Sequence, residues 1–323
     1  MRRRSRSTAS DGTLEEPLLG GGAGGEGRSV PAPPSPCRAL TPWRPATIFL
    51  ALWEFLRLEA LWRAVAGVLG PLLPPGLRPP PRASARATAA YAGLTSALAA
   101  RFDPADASHA VSLADLWVAS FPDTPPPTPL APHPLWKEAG WQGDDPRTDL
   151  RGGGVAAVRA ALHLARTRPG LWARLRHKDR GGPGAYVADL EYPFGAAGVA
   201  VAVLTAQACG LLGGRGAVAL PPPPGPPKSP GGRGFLRLLD GELSVAAGED
   251  DGGGDDEALA FALWADLAAA AYERLDADWE AGRASYMQFP SLAEGVREDL
   301  ERALGRRGVA SVGDVRAGLG LGR

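Results

Sequence analysis

The 323-residue chain has 35 basic and 35 acidic residues and a formal net charge of +0, so it lacks the basic field that attracts nucleic acid. Its 2 cysteines are too few for a disulfide framework, and its 4 histidines do not have the spacing of metal ligands, so no metal site is predicted. The length suits one domain of about 200 residues with flanking segments, or two small domains.

Residues 1–45 are predicted to form a disordered tail, because they hold too few large apolar side chains to build a core. The tail begins with an arginine cluster formed by Arg2, Arg3, Arg4 and Arg6. Two interpretations stay open: a solvated tail, and a targeting segment or weak contact with an anionic membrane surface.

Residues 46–84 are predicted to contain one apolar helix and a proline-rich linker. The helix covers 46–68 and is bounded by Pro45 and by the prolines of 71–81. It carries four charged side chains, each costing about 2.5–3.5 kcal/mol at the centre of a bilayer. A packed or surface-lying helix is therefore favoured over a membrane span.

Apolar spacing predicts further helices over 87–102, 108–121, 154–167 and 256–284, and around Leu292, Val296, Leu300 and Leu304. Proline- and glycine-rich segments at 122–134 and 221–234 are predicted to be irregular surface loops. Strand-like alternation is nearly absent. The predicted fold is therefore all-α, an irregular multi-helix domain over 85–305 with a C-terminal tail at 306–323.

Residues 192–214 contain no charged side chain and are long enough to cross a bilayer. They are rich in alanine and glycine rather than leucine and isoleucine, which makes their transfer into lipid only weakly favourable. A buried core helix is favoured, and a membrane span remains the alternative.

No motif for self-sufficient catalysis is present. The sequence has neither a G-x-S-x-G elbow nor a G-x-x-x-x-G-K-[ST] phosphate loop. Gly152, Gly154 and Ala157 satisfy a bare G-x-G-x-x-A, but the preceding residues carry a proline and several charges instead of the strand that dinucleotide binding requires. If the chain takes part in catalysis, we expect it to complete the active site of another protein.

The segment 136–154 reads WKEAGWQGDDPRTDLRGGG and places Arg151 directly before three glycines and a helix. An arginine on such a loop can approach the backbone of a second protein closely and neutralise the charge of a transferring phosphoryl group. The competing interpretation pairs Arg151 with Asp149 or Asp145. In that interpretation, Asp149 or Thr148 also caps the helix that follows.

Other residues of the segment are predicted to support the loop. Trp136 and Trp141 are expected to be core anchors, and Pro146 to stiffen the turn. Gln142 either positions a water molecule or satisfies the backbone of its own loop.

The segment closely resembles the signature of the ELMO (engulfment and cell motility) domain, W-x3-G-F-Q-x3-P-x-T-D-x-R-G-x-G-x3-L-x2-L. The matching residues are Trp136, Gly140, Gln142, Pro146, Thr148, Asp149, Arg151, Gly152 and Gly154. Further similarity lies at 113–122, 191–204 and 279–292. The resemblance covers about residues 85 to 305 and implies an all-helical domain in which the 192–214 segment is an internal helix.

ELMO proteins that contain little beyond this domain are GTPase-activating proteins for Arf and Arl small GTPases, and the arginine of T-D-x-R-G-x-G is assigned the catalytic role. By this resemblance the role falls on Arg151. The cofactors, GTP and Mg²⁺, would belong to the partner GTPase, and the expected location is the cytoplasm, with peripheral contact to endomembranes. The alternative is a non-catalytic adaptor that binds a small GTPase or a DOCK-type exchange factor.

The sequence departs from the signature at three positions. Trp141 replaces a phenylalanine and keeps an aromatic anchor. Val158 and Ala161 replace two leucines, which removes apolar volume, so compensating bulk is expected from Leu162 or from a neighbouring helix. The insertion at 213–234 is longer than expected for the family.

Overall fold

A computed structural model describes residues 82–176, 194–214, 225–249, 255–282, 284 and 286–322. In these ranges the chain forms ten α-helices and two 3₁₀ turns and contains no β-strand, which confirms the predicted all-helical fold. The helices are α1 Ala85–Leu98, α2 Ala107–Ser120, α3 Leu135–Glu138, α4 Leu150–Thr167, α5 Pro169–Arg176, α6 Phe194–Ala208, α7 Pro230–Glu249, α8 Asp256–Gly282, α9 Phe289–Gly305 and α10 Val312–Gly318. The 3₁₀ turns are Pro146–Thr148 and Tyr286–Gln288.

Several predicted segments lie outside the described residues. They include the tail at 1–45, the helix at 46–68 and nearly all of the proline-rich linker that follows it. The predicted domain limits of 85 and 305 stay a prediction.

Helices α1, α2, α4, α8 and α9 confirm the five helices predicted from apolar spacing. Their starts follow ordinary capping chemistry. The hydroxyl of Ser84 accepts a hydrogen bond from the Ala87 amide at 3.1 Å, and a carboxylate oxygen of Asp106 accepts one from the Ser108 amide at 2.8 Å. Each cap satisfies a backbone donor that the first turn of its helix leaves without a partner.

Helix α6 is the charge-free segment for which a membrane span was the alternative. Twelve of its residues are buried, and the helix packs against α4, α8 and α9. The Tyr272 hydroxyl of α8 donates a hydrogen bond to the Phe194 carbonyl at 2.5 Å. Its apolar surface is covered by other helices, as predicted for a core helix. Among the described helices, none combines the length and apolarity needed to traverse a bilayer.

The glycine-rich end of the predicted loop at 221–234 is not a loop, because α7 begins at Pro230. Proline suits the first turn of a helix, where its missing amide hydrogen costs nothing. At Gly234, a Cβ atom would lie 2.1 Å from the Leu304 carbonyl oxygen of α9. Glycine here permits close packing of two helices, a role that the composition of the segment does not distinguish from flexibility.

Three further helices were not predicted: α5, α10 and the four-residue α3. Helix α5 follows α4 directly, and its Leu171, Trp172 and Leu175 are buried. Helix α10 lies in the segment predicted to be a C-terminal tail; it packs on α8 and α9 and buries Val315. All three helices are shorter than ten residues, so their apolar spacing covers about two turns or fewer and gives little signal.

A small apolar cavity of about 40 Å³ lies between α4, α6 and α8. Small residues line most of it, among them Ala157, Ala161 and Gly198. Leu162 is buried, as expected, yet the cavity beside Ala161 shows that the volume lost there is only partly replaced.

Substitution Ala161→Leu should fill this cavity and raise the thermal midpoint by about 2–4 °C, because a side chain placed in an existing void gains dispersion contacts without displacing neighbours. Differential scanning calorimetry measures the shift. The matched control is Ala173→Leu, the same change at an exposed position of α5, which should leave the midpoint nearly unchanged. A lower midpoint for Ala161→Leu would mean that the void cannot accept the added atoms.

Candidate functional site

The loop from Trp136 to Gly154 rests on a floor of aromatic side chains. Trp136 is fully buried, and its ring meets those of Trp117 and Trp141 edge-on, with centroids 5.1 and 6.1 Å apart. Its indole nitrogen donates to the Leu130 carbonyl at 3.0 Å, so the buried polar atom is satisfied. The predicted anchoring roles of Trp136 and Trp141 agree with this geometry.

The turn after α3 is tied to the start of α6. Gly140 has a φ of 83°, and a Cβ atom there would lie 2.6 Å from the Cβ of Phe194. Its carbonyl accepts a hydrogen bond from the Gly195 amide at 2.7 Å. Only glycine fits both the backbone conformation and the close approach, which explains its place in the motif.

The middle of the loop is a 3₁₀ turn organised by Asp145. Its carboxylate caps the turn through the Arg147 amide and accepts two hydrogen bonds from the Arg147 guanidinium, both at 2.7 Å. These hydrogen bonds are the main reason that the pKa of Asp145 lies below its usual value. Pro146 is buried at the start of this turn, and its stiffening role stays a prediction.

Asp149 spans the loop instead of capping a helix. Its carboxylate accepts a hydrogen bond from the Gln142 amide at 3.0 Å and makes no capping bond to α4. Burial raises the pKa of Asp149, and the bond from Gln142 opposes that shift. The prediction that Asp149 or Thr148 caps the helix is wrong, because the Thr148 hydroxyl donates to the Asp145 carbonyl at 2.8 Å.

Arg151 lies on the first turn of α4 and is exposed to solvent. Its Nε donates to the Thr148 carbonyl at 3.1 Å. Among the described residues, no carboxylate lies within 4.0 Å of its guanidinium, and its two terminal nitrogens have no hydrogen-bond acceptor. The competing prediction, an ion pair of Arg151 with Asp149 or Asp145, is therefore wrong.

The glycines after Arg151 separate its turn from the rest of α4. Gly154 has φ 60° and ψ −159°, a combination that breaks the helix and that only glycine adopts readily. A Cβ atom at Gly154 would lie 2.1 Å from the Ala100 carbonyl oxygen. Leu150 to Gly153 thus form a separate turn whose direction is set by the contact with Ala100.

The structure brings the predicted residues into one loop with two sides. The buried side holds Trp136, Trp141, Pro146 and Gly154, and the exposed side holds Gln142, Thr148, Arg151 and Gly152. Gln142 uses its backbone to close the loop and leaves its side-chain amide at the surface. No group of three or more potential metal ligands occurs in the described part of the chain.

Sequence reasoning missed the partners that hold this loop from outside, namely Ala100, Phe121 and Phe194. Each lies on another element and reaches the loop only through the tertiary fold. The available signal was glycine at positions 140 and 154. Glycine at a fixed position of a motif indicates that another part of the chain approaches closely, as it does at both positions here.

A model of the ELMO/CED-12 family matches residues 93–214, from the second half of α1 to just beyond α6, and includes the whole loop. Comparisons with curated proteins and with solved structures gave no match.

Substitution Gly154→Ala should destabilise the fold by about 3 kcal/mol or more, because the added methyl group would overlap a backbone oxygen at a φ that alanine avoids. Urea unfolding gives the free energy. Gly170→Ala is the matched control: an added Cβ there meets nothing within 4 Å, so the substitution should be neutral or slightly stabilising. Equal stability of the two variants would contradict the assigned role of Gly154.

Substitution Asp145→Asn should lower the free energy of unfolding by about 1–2 kcal/mol at neutral pH, because the Arg147 guanidinium loses its charged acceptor. The folded-state pKa of Asp145 is depressed, so its contribution is present above the unfolded-state value of about 3.9 and is lost as the pH falls through the folded value. Urea unfolding between about pH 7 and pH 3 should show the gap to the wild type closing.

Asp149→Asn should show the opposite dependence of the stability gap on pH. The folded-state pKa of Asp149 is raised, so the wild type gains stability relative to this variant as the pH falls. Gaps that change in the same direction for both variants would contradict the two assignments.

Proposed function

Because residues 93–214 form an ELMO/CED-12 family domain, we propose that this chain is a GTPase-activating protein for an Arf/Arl-type small GTPase. Arg151 supplies a guanidinium to the GTP held by the partner. The nucleotide and its Mg²⁺ belong to the GTPase, and the chain brings no cofactor of its own. It acts in the cytoplasm and contacts endomembranes peripherally.

The observation that carries the proposal is the state of Arg151. It is exposed, it has no carboxylate within ion-pair distance among the described residues, and its Nε bond to the Thr148 carbonyl leaves the two terminal nitrogens for a ligand. An arginine already clamped in an ion pair would have to break that pair before meeting a phosphate. Here no such cost opposes the encounter.

Hydrolysis of GTP is accelerated by a cation beside the transferring phosphoryl group. In phosphoryl transfer from GTP, negative charge spreads over the oxygens of the transferring group, and a guanidinium supplied by a second protein stabilises that charge by about 4–7 kcal/mol. The planar fork of arginine offers two parallel N–H donors to adjacent oxygens, which a lysine ammonium does not.

Rigidity of the loop supports the same role. The bonds from Gln142 to Asp149 and from Arg147 to Asp145 close the loop on itself, while the turn that carries Arg151 is set against Ala100. A preorganised donor requires little reorganisation when the charge develops, and this is how electrostatic stabilisation lowers a barrier.

The test is single-turnover GTP hydrolysis across a panel of purified Arf and Arl GTPases. The wild-type chain should accelerate hydrolysis by at least one of them, and Arg151→Ala should lower that accelerated rate by about 10³-fold or more. Arg151→Lys should recover little of the loss, since it keeps the charge but not the fork. Arg159→Ala, which removes an exposed arginine of the same helix, is the matched control and should keep the full rate.

Binding measurements separate this mechanism from the adaptor function. GTP-dependent binding of the wild type without any acceleration of hydrolysis would favour a non-catalytic adaptor. Acceleration that survives Arg151→Ala would show that another residue supplies the charge.

A further inference from the structure

A second arginine, outside the loop, contacts two aromatic rings. Arg176 ends α5, and its guanidinium carbon lies 5.3 Å from the ring centre of Phe121 and 5.7 Å from that of Trp172. Both distances fall within the range of cation–π contacts. The rings are fixed in turn, because Phe121 packs on Trp117 and the Trp172 indole nitrogen donates to the Ala119 carbonyl at 3.3 Å.

In the part of the chain that the structure describes, the Arg176 guanidinium lacks a carboxylate partner. Among the described residues, no carboxylate lies within 4.0 Å of the Arg176 guanidinium, and its Nε is the only arginine nitrogen that is buried without an acceptor. Burial accordingly lowers the pKa of Arg176. By contrast, the half-buried Arg297 has carboxylate oxygens of Glu294 and Glu301 at 2.8 and 3.0 Å.

The contacts with the two rings restrict where a ligand can bind. The rings of Phe121 and Trp172 lie against the guanidinium, and the Nε is inaccessible, so a ligand reaches the group through its terminal nitrogens. Two N–H donors on that edge match two oxygens of an oxyanion. A phosphate carries up to two negative charges near neutral pH and three acceptor oxygens, so it compensates a partly desolvated cation better than a single carboxylate does.

We propose that Arg176, held against Phe121 and Trp172, is the cation of an oxyanion site whose ligand is a phosphate group. The aromatic rings orient the guanidinium and reduce its hydration, which strengthens its interaction with an anion. The proposal is independent of Arg151 and of GTPase activation, because it depends on different residues and different contacts.

The test follows the side-chain Nε–H signals of the ¹⁵N-labelled full chain by NMR while sodium phosphate is added. The reference is sodium chloride at the same ionic strength. The Arg176 signal is identified by its loss in Arg176→Lys, a substitution that keeps the charge and the stem. With phosphate it should shift and saturate at millimolar concentration; with chloride it should not.

Two variants control for non-specific binding. Phosphate should raise the thermal midpoint of the wild type above its value in chloride, and Arg176→Met, which keeps an apolar stem but removes the cation, should abolish that difference. Arg174→Gln removes an exposed guanidinium two residues earlier, 3.6 Å from Glu273, and should leave the difference intact.

An Arg176 Nε–H signal that does not shift when phosphate is added, or that shifts equally in chloride, would overturn the proposal. So would a phosphate-dependent midpoint that persists in Arg176→Met.

Discussion

The contact between Gly154 and the Ala100 carbonyl is the constraint on which the candidate site depends. The backbone passes so close to this oxygen that a single added carbon would lie 2.1 Å from it, and the helix must break at that point. Because of this break, the turn from Leu150 to Gly153 does not continue the direction of the rest of α4. A continuous α4 would place residue 151 by the helical repeat alone, whereas here its position is set by α1 and the segment that follows it.

The electrostatics of the loop follow from how its two central carboxylates are used. The Asp145 carboxylate accepts hydrogen bonds from the Arg147 guanidinium, and the Asp149 carboxylate accepts one from the Gln142 amide. A guanidinium with acidic neighbours in sequence is thereby left without an ion pair. Arg151 still interacts with both carboxylates at longer range, since its charge adds to the lowering of the Asp145 pKa and opposes the rise of the Asp149 pKa. Hydrogen-bond geometry, and not sequence distance, decides which charges neutralise each other.

The aromatic floor links the loop to the rest of the domain. Trp136 touches Trp117 and Phe121 of the α2 end, and Phe121 in turn lies beneath Arg176 of α5. Such rings bury large areas and have few side-chain torsions to fix, so they position a loop at low entropic cost. Arg176 therefore borders the same cluster of rings that supports the loop of Arg151.

The long helices could be predicted from sequence because burial imposes a repeat over many residues. Helix α4, for example, shows the spacing of Val155, Val158 and Leu162, and all three are buried. The loop motif, with its tryptophans, proline and arginine, could also be identified from the sequence. Contacts between distant segments could not be predicted from it. The glycines of α7 suggested a loop because only the position of Leu304 shows that they pack against another helix. The pairing of Asp145 was undecidable for the same reason, since Arg147 and Arg151 are both within reach in sequence.

The proposed function requires that the Arg151 guanidinium projects from its own chain to meet a phosphate on another protein. The most direct measurement is a crystal structure of the chain bound to a small GTPase loaded with GDP and aluminium fluoride, which mimics the transferring phosphoryl group. We expect the terminal nitrogens of Arg151 to donate to the fluoride atoms while the hydrogen bond from Gln142 to Asp149 persists. A complex in which Arg151 pairs with Asp145 or Asp149 and faces away from the nucleotide would contradict it.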